Sequence, residues 1–405
     1  MTQQRDGLIS VLDLGSMWTR FLVADLNEGA LRYRGHGMVP SAGMRKGAIA
    51  ELLPATQVVS KAAAEAEENA QAGIGSCVIG VGGPHVRGMN SRGGLTLGSR
   101  PRDITREDAR EAIDRARSVA LPNDREMLHQ LPQEFLLDDQ PGIHDPVGMV
   151  GLRLEVILHL STCSMGAMQS IVTCANKAGL EVTDTIFEAL AAAEATLTAD
   201  ERELGVCLVD IGAGTTEVVV FFEGSVVHTA VIPIGGDHFT NDLALGLRLT
   251  LQQAERLKCE FGHAVVTAIP MMAEVALEVP EGEPGVVIRT RMMGEILEAR
   301  ARELFHLLRE NLREAGVLGA MGSGCVLVGG GATLPGLTEI AESMLRVPAR
   351  VGHPVRLSRM PKDLIRPDMA TVIGMLLYAH RKRVLMAAED NSLRAKLRAM
   401  FAGSI

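Results

Sequence analysis

The sequence predicts an α/β protein of two lobes, each a β-sheet with flanking helices, carrying one inserted α+β module. Three observations predict it. A unit of three β-rich runs occurs twice, 197 residues apart (Asp13 to Asp210). Amphipathic, helix-length stretches follow each copy. Between the copies, Gly82 to Leu160 departs from the pattern.

The first copy opens with the apolar run Leu8 to Leu14, followed by Gly15 and Ser16. The second opens with Gly205 to Ile211, followed by Gly212, Ala213, Gly214, Thr215 and Thr216. Each run ends in Asp-x-Gly and a small residue. A second run follows (Phe21 to Leu26; Glu217 to Phe222), then a turn glycine (Gly29; Gly224), then a third run (Leu31 to Val39; Val226 to Ile234). Chance easily places one Asp-x-Gly after a strand. It does not easily repeat three strands and the turn glycine together. The spacing is too long for a solenoid, so two similar domains facing each other are expected.

Between the copies, Leu53 to Ala72 is Ala/Glu-rich and helical in pattern, and Cys77 to Val81 is strand-like. The departing segment holds a Gly-rich hairpin (Met89 to Leu97) and a strand pair (Glu134 to Leu137 with Gly151 to Leu160). It also holds a helix running to about Leu121, with Thr105 as N-cap before an acidic first turn. Ser164 to Ala178 and Phe187 to Leu197 read as helices. After the second copy come helices over Asp237 to Leu247 and Leu251 to Phe261, a short strand Val286 to Thr290, and a long amphipathic helix Met292 to Ala315. Strand Cys325 to Val328 then runs into three glycines, followed by helices Pro335 to Met344 and Pro367 to Met386 and a tail from Asn391.

Composition narrows the chemistry. No apolar run approaches the ~18 residues a spanning helix needs. The six cysteines are scattered with no CxxC pair, which favours a reducing cytosol and disfavours zinc. A net charge of −9 and 3% aromatics argue against nucleic-acid partners. No GxxxxGK[ST], GxGxxG with a ribose acid, GxSxG or HExxH pattern occurs.

What remains is a phosphate-cradling design. Glycines let backbone N–H groups approach phosphate oxygens, and Thr hydroxyls add donors. An Asp at the carboxyl end of a strand can hold hydrated Mg²⁺. One such hairpin is weak evidence; two symmetry-related copies place a phosphate chain between Asp13-Leu14-Gly15-Ser16 and Asp210 to Thr216. Gly329, Gly330 and Gly331, before a helix start, leave room for a flat ring or ribose against bare backbone.

These three loops, in this order and spacing, resemble the actin/hexokinase/heat-shock-chaperone ATPase superfamily. Within it, the chain resembles the FtsA family of bacterial cell-division proteins over roughly residues 7 to 388. The segments Phe187 to Ala195, Pro233 to Asp242 and Ala254 to Lys258, and the insert after Cys77–Gly80, carry this resemblance. It implies an actin-like ATPase fold binding ATP and Mg²⁺ between the lobes. Asp13 and Asp210 would hold Mg²⁺ through water. Gly15, Ser16, Gly212, Gly214, Thr215 and Thr216 match the phosphate loops, and Gly235 and Gly236 a further phosphate-facing turn. Glu255 and Lys258, one helical turn apart, match the adenosine and ribose contacts; Gly329 to Gly331 match the adenosine loop. Glu188 matches the acid that orients attacking water in hydrolysing relatives. The family usually carries a Lys soon after the first Asp-x-Gly. Here the stretch is Ser16-Met17-Trp18-Thr19-Arg20, leaving Arg20 as the candidate for that charge.

The implied organisation is lobe I (IA) over 7–82, the inserted IC-type subdomain over 83–160, and IA again over 161–203. Lobe II (IIA) follows over 204–243, subdomain IIB over 244–308, and IIA again over 309–365. A lobe I helix spans 366–388 and a tail 389–405. In the tail, Leu393, Leu397, Met400 and Phe401 share a helical face beside Arg394, Lys396 and Arg398, with no acidic side chain from Asn391 onward. That suits anionic lipid headgroups, the alternative being a helix docked on its own domain. The family resemblance implies a protein that polymerises and tethers the tubulin-like FtsZ to the inner face of the cytoplasmic membrane. It also implies recruitment of later division proteins through the IC-type subdomain. A PilM-like pilus-assembly homologue is the nearest alternative, because it shares the insert. An MreB-like scaffold lacks the insert, and a sugar or acetate kinase would need a second substrate motif that is not found.

Overall fold

The computed structural model describes residues 7–27, 29–277 and 287–385. The tail residues Leu393 to Phe401 therefore lie outside the described residues.

Two five-stranded mixed sheets repeat one topology. The first runs Glu181–Phe187, Ser76–Val81, Leu8–Leu14, Trp18–Asn27, Ala30–Pro40. The second runs Ala349–Val351, Cys325–Val328, Val206–Ile211, Thr216–Phe222, Ser225–Ile232. In each, the central strand is the one ending in Asp-x-Gly. It pairs antiparallel with the strand that follows and parallel with a later one. Such strands are covered on both faces and read as continuous apolar runs; Val11, Leu12, Leu208 and Val209 are all fully buried. The register also repeats: Asp13 lies opposite Arg20, and Asp210 opposite Glu217.

Helices cover the sheets. Leu52–Ala70 buries Ala55, Val59, Ala62, Ala63, Ala66 and Ala70, small residues that let it lie close to the first sheet. Thr290–Glu314 buries an apolar stripe that includes Met293, Leu297, Ala301, Leu304, Leu308 and Leu312 against the second sheet. The outer strands Glu181–Phe187 and Ala349–Val351 escaped the sequence reading. One is largely polar and the other only three residues long.

The inserted module is a four-stranded antiparallel sheet ordered Gln140–Ile143, Arg125–Leu137, Arg153–Ser164, Arg87–Thr96. Helix Arg106–Arg117 packs on it. The Thr105 hydroxyl accepts from Asp108 N at 3.2 Å, and the Asp108 carboxylate accepts from Thr105 N at 2.8 Å. The expected hairpin at Met89 to Leu97 is instead one strand, paired throughout with Arg153–Ser164. Gly93 and Gly94 do not turn the chain, because neither has a positive φ. They provide clearance: a Cβ on Gly93 would lie 2.1 Å from Ala116 N of the helix. The module leans on the free edge of the second sheet. His159 Nε2 meets Thr229 Oγ1 at 2.8 Å, and Gln133 Nε2 donates to Val226 O at 2.9 Å.

The last helix among the described residues, 370–385, returns to the first lobe and crosses helix Glu188–Thr196 at Gly374. A Cβ there would stand 1.7 Å from Ala191 O. Gly374→Ala is expected to destabilise the protein by about 1–3 kcal/mol through overpacking. Thermal or urea unfolding checks this; a change within ±0.5 kcal/mol, typical of unremarkable surface positions, would mean the crossing relaxes freely.

Candidate functional site

The repeated strands aim their carboxyl ends at one cavity of about 420 Å³. Its wall brings together Asp13, Gly15, Ser16 and Arg20 from the first copy with Asp210, Gly212, Gly214 and Thr215 from the second. Gly236, Glu255 and Lys258 line it, as do Glu188 and Gly329, Gly330 and Gly331. Gly235 and Thr216 stand behind the wall. Gly235 precedes helix Gly236–Leu247, with its N–H bonded to His238 Nδ1 at 3.1 Å. The Thr216 hydroxyl is fully buried and donates to Ile234 O at 2.7 Å.

The floor is a concentration of acids. Arg20 Nη1 reaches Asp13 at 3.2 Å, and Nη2 reaches Asp368 at 3.1 Å. The charge that the sequence assigns to phosphate is thus held by two carboxylates. Thr371 Oγ1 donates to Asp210 Oδ2 at 2.6 Å. Gly329, at φ 83°, packs so close that a Cβ would lie 2.4 Å from Asp210 Oδ1. The Gly329 N–H bonds to Pro367 O at 3.0 Å, tying this loop to the turn that carries Asp368.

Beneath the cavity, Glu188 and Glu217 converge on Gly82. A Cβ on Gly82 would lie 2.2 Å from Glu217 Oε1 and 2.3 Å from Glu188 Oε2, so only glycine leaves room for the two carboxyls. Glu217 Oε1 accepts the Gly83 N–H at 2.7 Å, and the Ala189 backbone also favours the charged carboxyl. Burial raises Asp13, Asp210, Glu188 and Glu217, whereas Arg366 and Arg20 hold Asp368 below its ordinary value. Asp13 is raised despite Arg20, and Asp210 is pushed up to about 6. Glu217 is pushed up to about 8, by burial and then by Asp210. Burial, reinforced by Glu217, Asp13 and Asp210, lifts Glu188 well above the ordinary carboxylate range.

At the opposite wall, Lys258 Nζ binds Glu255 at 2.7 Å, Thr240 Oγ1 at 2.8 Å and Gly236 O at 3.0 Å. The pair one helical turn apart is therefore pre-oriented by helix Gly236–Leu247.

Sequence reasoning missed Glu217, Asp368, Arg366 and Thr371. A signal for Glu217 existed: the 197-residue repeat carries Arg20 onto Glu217. No comparable signal marked Asp368, which reaches Arg20 across 348 residues.

The raised acids set a pH dependence. An acid whose folded pKa exceeds its unfolded value binds protons more tightly when folded. Stability is then lost as pH rises from the unfolded pKa through the folded one. For Glu217 that window runs from 4.5 to about 8. Glu217→Gln keeps an acceptor for Gly83 and removes the ionisation. Its thermal midpoint should gain on the wild type between pH 5 and 8; a constant difference would mean that Glu217 does not titrate there.

Known proteins match this chain strongly. Residues 207–374 match the family described as cell division protein FtsA, and residues 83–162 the SHS2 domain inserted in FtsA. The cell division protein FtsA of Pseudomonas aeruginosa is 37% identical over 381 residues, covering 94% of this chain and 91% of that one. The Escherichia coli K12 protein of the same name is 32% identical, covering 94% and 92%. Among solved structures, a PilM-PilN type IV pilus biogenesis complex aligns with TM-score 0.63 at 16% identity, covering 92% of this chain and 98% of that one. MreB5 of Spiroplasma citri bound to ADP aligns with TM-score 0.55 at 14% identity, covering 95% and 99%. These structural likenesses show an actin-like fold alone, whereas the sequence matches go further: the chain belongs to the FtsA family of cell-division proteins.

Proposed function

We propose that the cleft binds ATP with Mg²⁺, and that the protein tethers the division machinery to the membrane. One observation carries the first part. Two symmetry-related Asp-x-Gly loops face a single cavity whose third wall is the Gly329 loop. In this reading the phosphates lie between Gly15–Ser16 and Gly212–Thr215. The ribose and base lie between Glu255, Lys258 and Gly329 to Gly331, where Gly330 faces open space.

The donor set fits a hydrated divalent cation. Asp13 is buried and Asp210 half-buried near the ends of their strands, and each raises the proton affinity of the other or of Glu188. Among the described residues no group of three His, Cys, Asp or Glu side chains could hold a metal by itself. Such an ion would keep most of its waters and lean on ligand oxygens, as Mg²⁺ does. Bound there, it would neutralise phosphate charge. Glu188, half-buried in the cavity wall with a raised proton affinity, would be the acid that orients the attacking water.

Membership of the FtsA family supports the second part. Residues 389–405 would lie on the inner face of the cytoplasmic membrane at the division site, bound to anionic lipids. The chain would polymerise, bind FtsZ and recruit later division proteins through the inserted module. Polymerisation would multiply a weak single-copy lipid contact.

Two measurements test this. Saturating Mg·ATP, at about 100 times its Kd, should stabilise the wild type by about 2.7 kcal/mol, and Asp210→Ala should abolish that shift. An unchanged shift removes Asp210 from the site. In sedimentation with anionic vesicles, the full chain should pellet and a chain ending at Glu389 should stay in the supernatant; equal pelleting would sink the tether.

A further inference from the structure

We propose that Lys46, at the tip of a two-residue hairpin, supplies the phosphate-facing charge of the cleft in place of Arg20. This rests on the nucleotide reading above.

The first argument is charge. The cavity wall carries six carboxylates (Asp13, Glu188, Asp210, Asp237, Glu255, Asp368) and three cations (Arg20, Lys258, Arg366). Each of these cations is already in an ion pair: Arg20 with Asp13 and Asp368, Lys258 with Glu255, Arg366 with Asp368. A polyphosphate entering this wall needs positive charge beyond what a metal ion brings. The exposed Lys46 makes no ion pair or side-chain hydrogen bond among the described residues.

The second argument is position. Strands Met44–Arg45 and Ala48–Ile49 pair through Arg45 and Ala48, leaving Lys46–Gly47 as the loop. This hairpin touches both phosphate loops at once. Gly47 N donates to Ser16 Oγ at 2.9 Å, and a Cβ on Gly214 would lie 2.7 Å from Lys46 Cα. Gly47 itself lines the cavity. On its other side Gly47 packs on Gly83, the residue whose N–H holds Glu217. The hairpin therefore sits against both phosphate loops and against the turn that holds Glu217, where the terminal phosphate would lie.

The third argument is conformation. Lys46 and Gly47 have φ of 50° and 72°, the two positive values of a type I′ turn. Such turns favour Asn, Asp or Gly at the first loop position. A lysine held left-handed there, against the phosphate loops, is backbone strain at a ligand clamp.

Titration calorimetry of the full chain with Mg·ATP and Mg·ADP tests the assignment. Lys46→Asn suits the turn and removes the charge. It should weaken Mg·ATP binding by about tenfold or more and Mg·ADP binding by less than about threefold, without lowering the unliganded thermal midpoint. Lys46→Arg should restore most of the Mg·ATP affinity, and Arg45→Gln, one residue away, should stay within about twofold of wild type. Wild-type Mg·ATP affinity in Lys46→Asn overturns the assignment and leaves the nucleotide reading standing. Equal losses in Lys46→Asn and Arg45→Gln also overturn it, because they report general surface charge. If the wild type binds neither nucleotide, the nucleotide reading falls and the Lys46 assignment with it.

Discussion

Four carboxylates crowd together at the floor of the cavity, and the way their repulsion is contained organises the molecule. Asp13 and Asp210 end the two central strands; Glu188 and Glu217 crowd behind them. Like charges held this close in a low dielectric cannot all ionise without compensation. Arg20 bridges Asp13 and Asp368, Thr371 holds Asp210, and the Gly83 N–H holds Glu217. Two of these partners come from the segment around residues 366–371, so the end of the described chain stitches together the floor that its beginning started.

The duplication is faithful in backbone and unfaithful in charge. Both sheets share strand order, register and the loop after the central strand. Yet the residue opposite the aspartate is Arg20 in one lobe and Glu217 in the other. An arginine on both sides would leave each aspartate neutralised and the cleft with little call for a cation. A glutamate on both sides would leave the floor unbalanced. The mixed pair gives one lobe a compensated acid and the other a proton-holding acid, so the two halves of a symmetric scaffold serve different chemistry.

Much of this was legible in the residue order, and the reasons for the rest are physical. Asp-x-Gly loops, turn glycines and helix caps are local signals, so Asp13, Asp210, Gly29, Gly224 and Thr105 could be read directly. Asp368, Thr371 and Gly83 act on partners far along the chain, and no local pattern records such a meeting. The glycines of Arg87–Thr96 misled because the same residue serves turns and close approaches. There the helix, not a turn, required them. Arg20 shows a further limit: its ion pair with Asp368 is not recorded in the residues around it.

The inserted module branches from the first lobe yet rests on the second, through His159 and Thr229 and through Gln133 and Val226. Its support is therefore split between the two bodies that enclose the cavity. If the lobes rotate, the module cannot follow both, and the seam along Ser225–Ile232 must slide or part. A change of angle inside the cleft then becomes a displacement on the outer surface. Any such turn would therefore be felt at the His159–Thr229 and Gln133–Val226 contacts before it reached the outer face of the module.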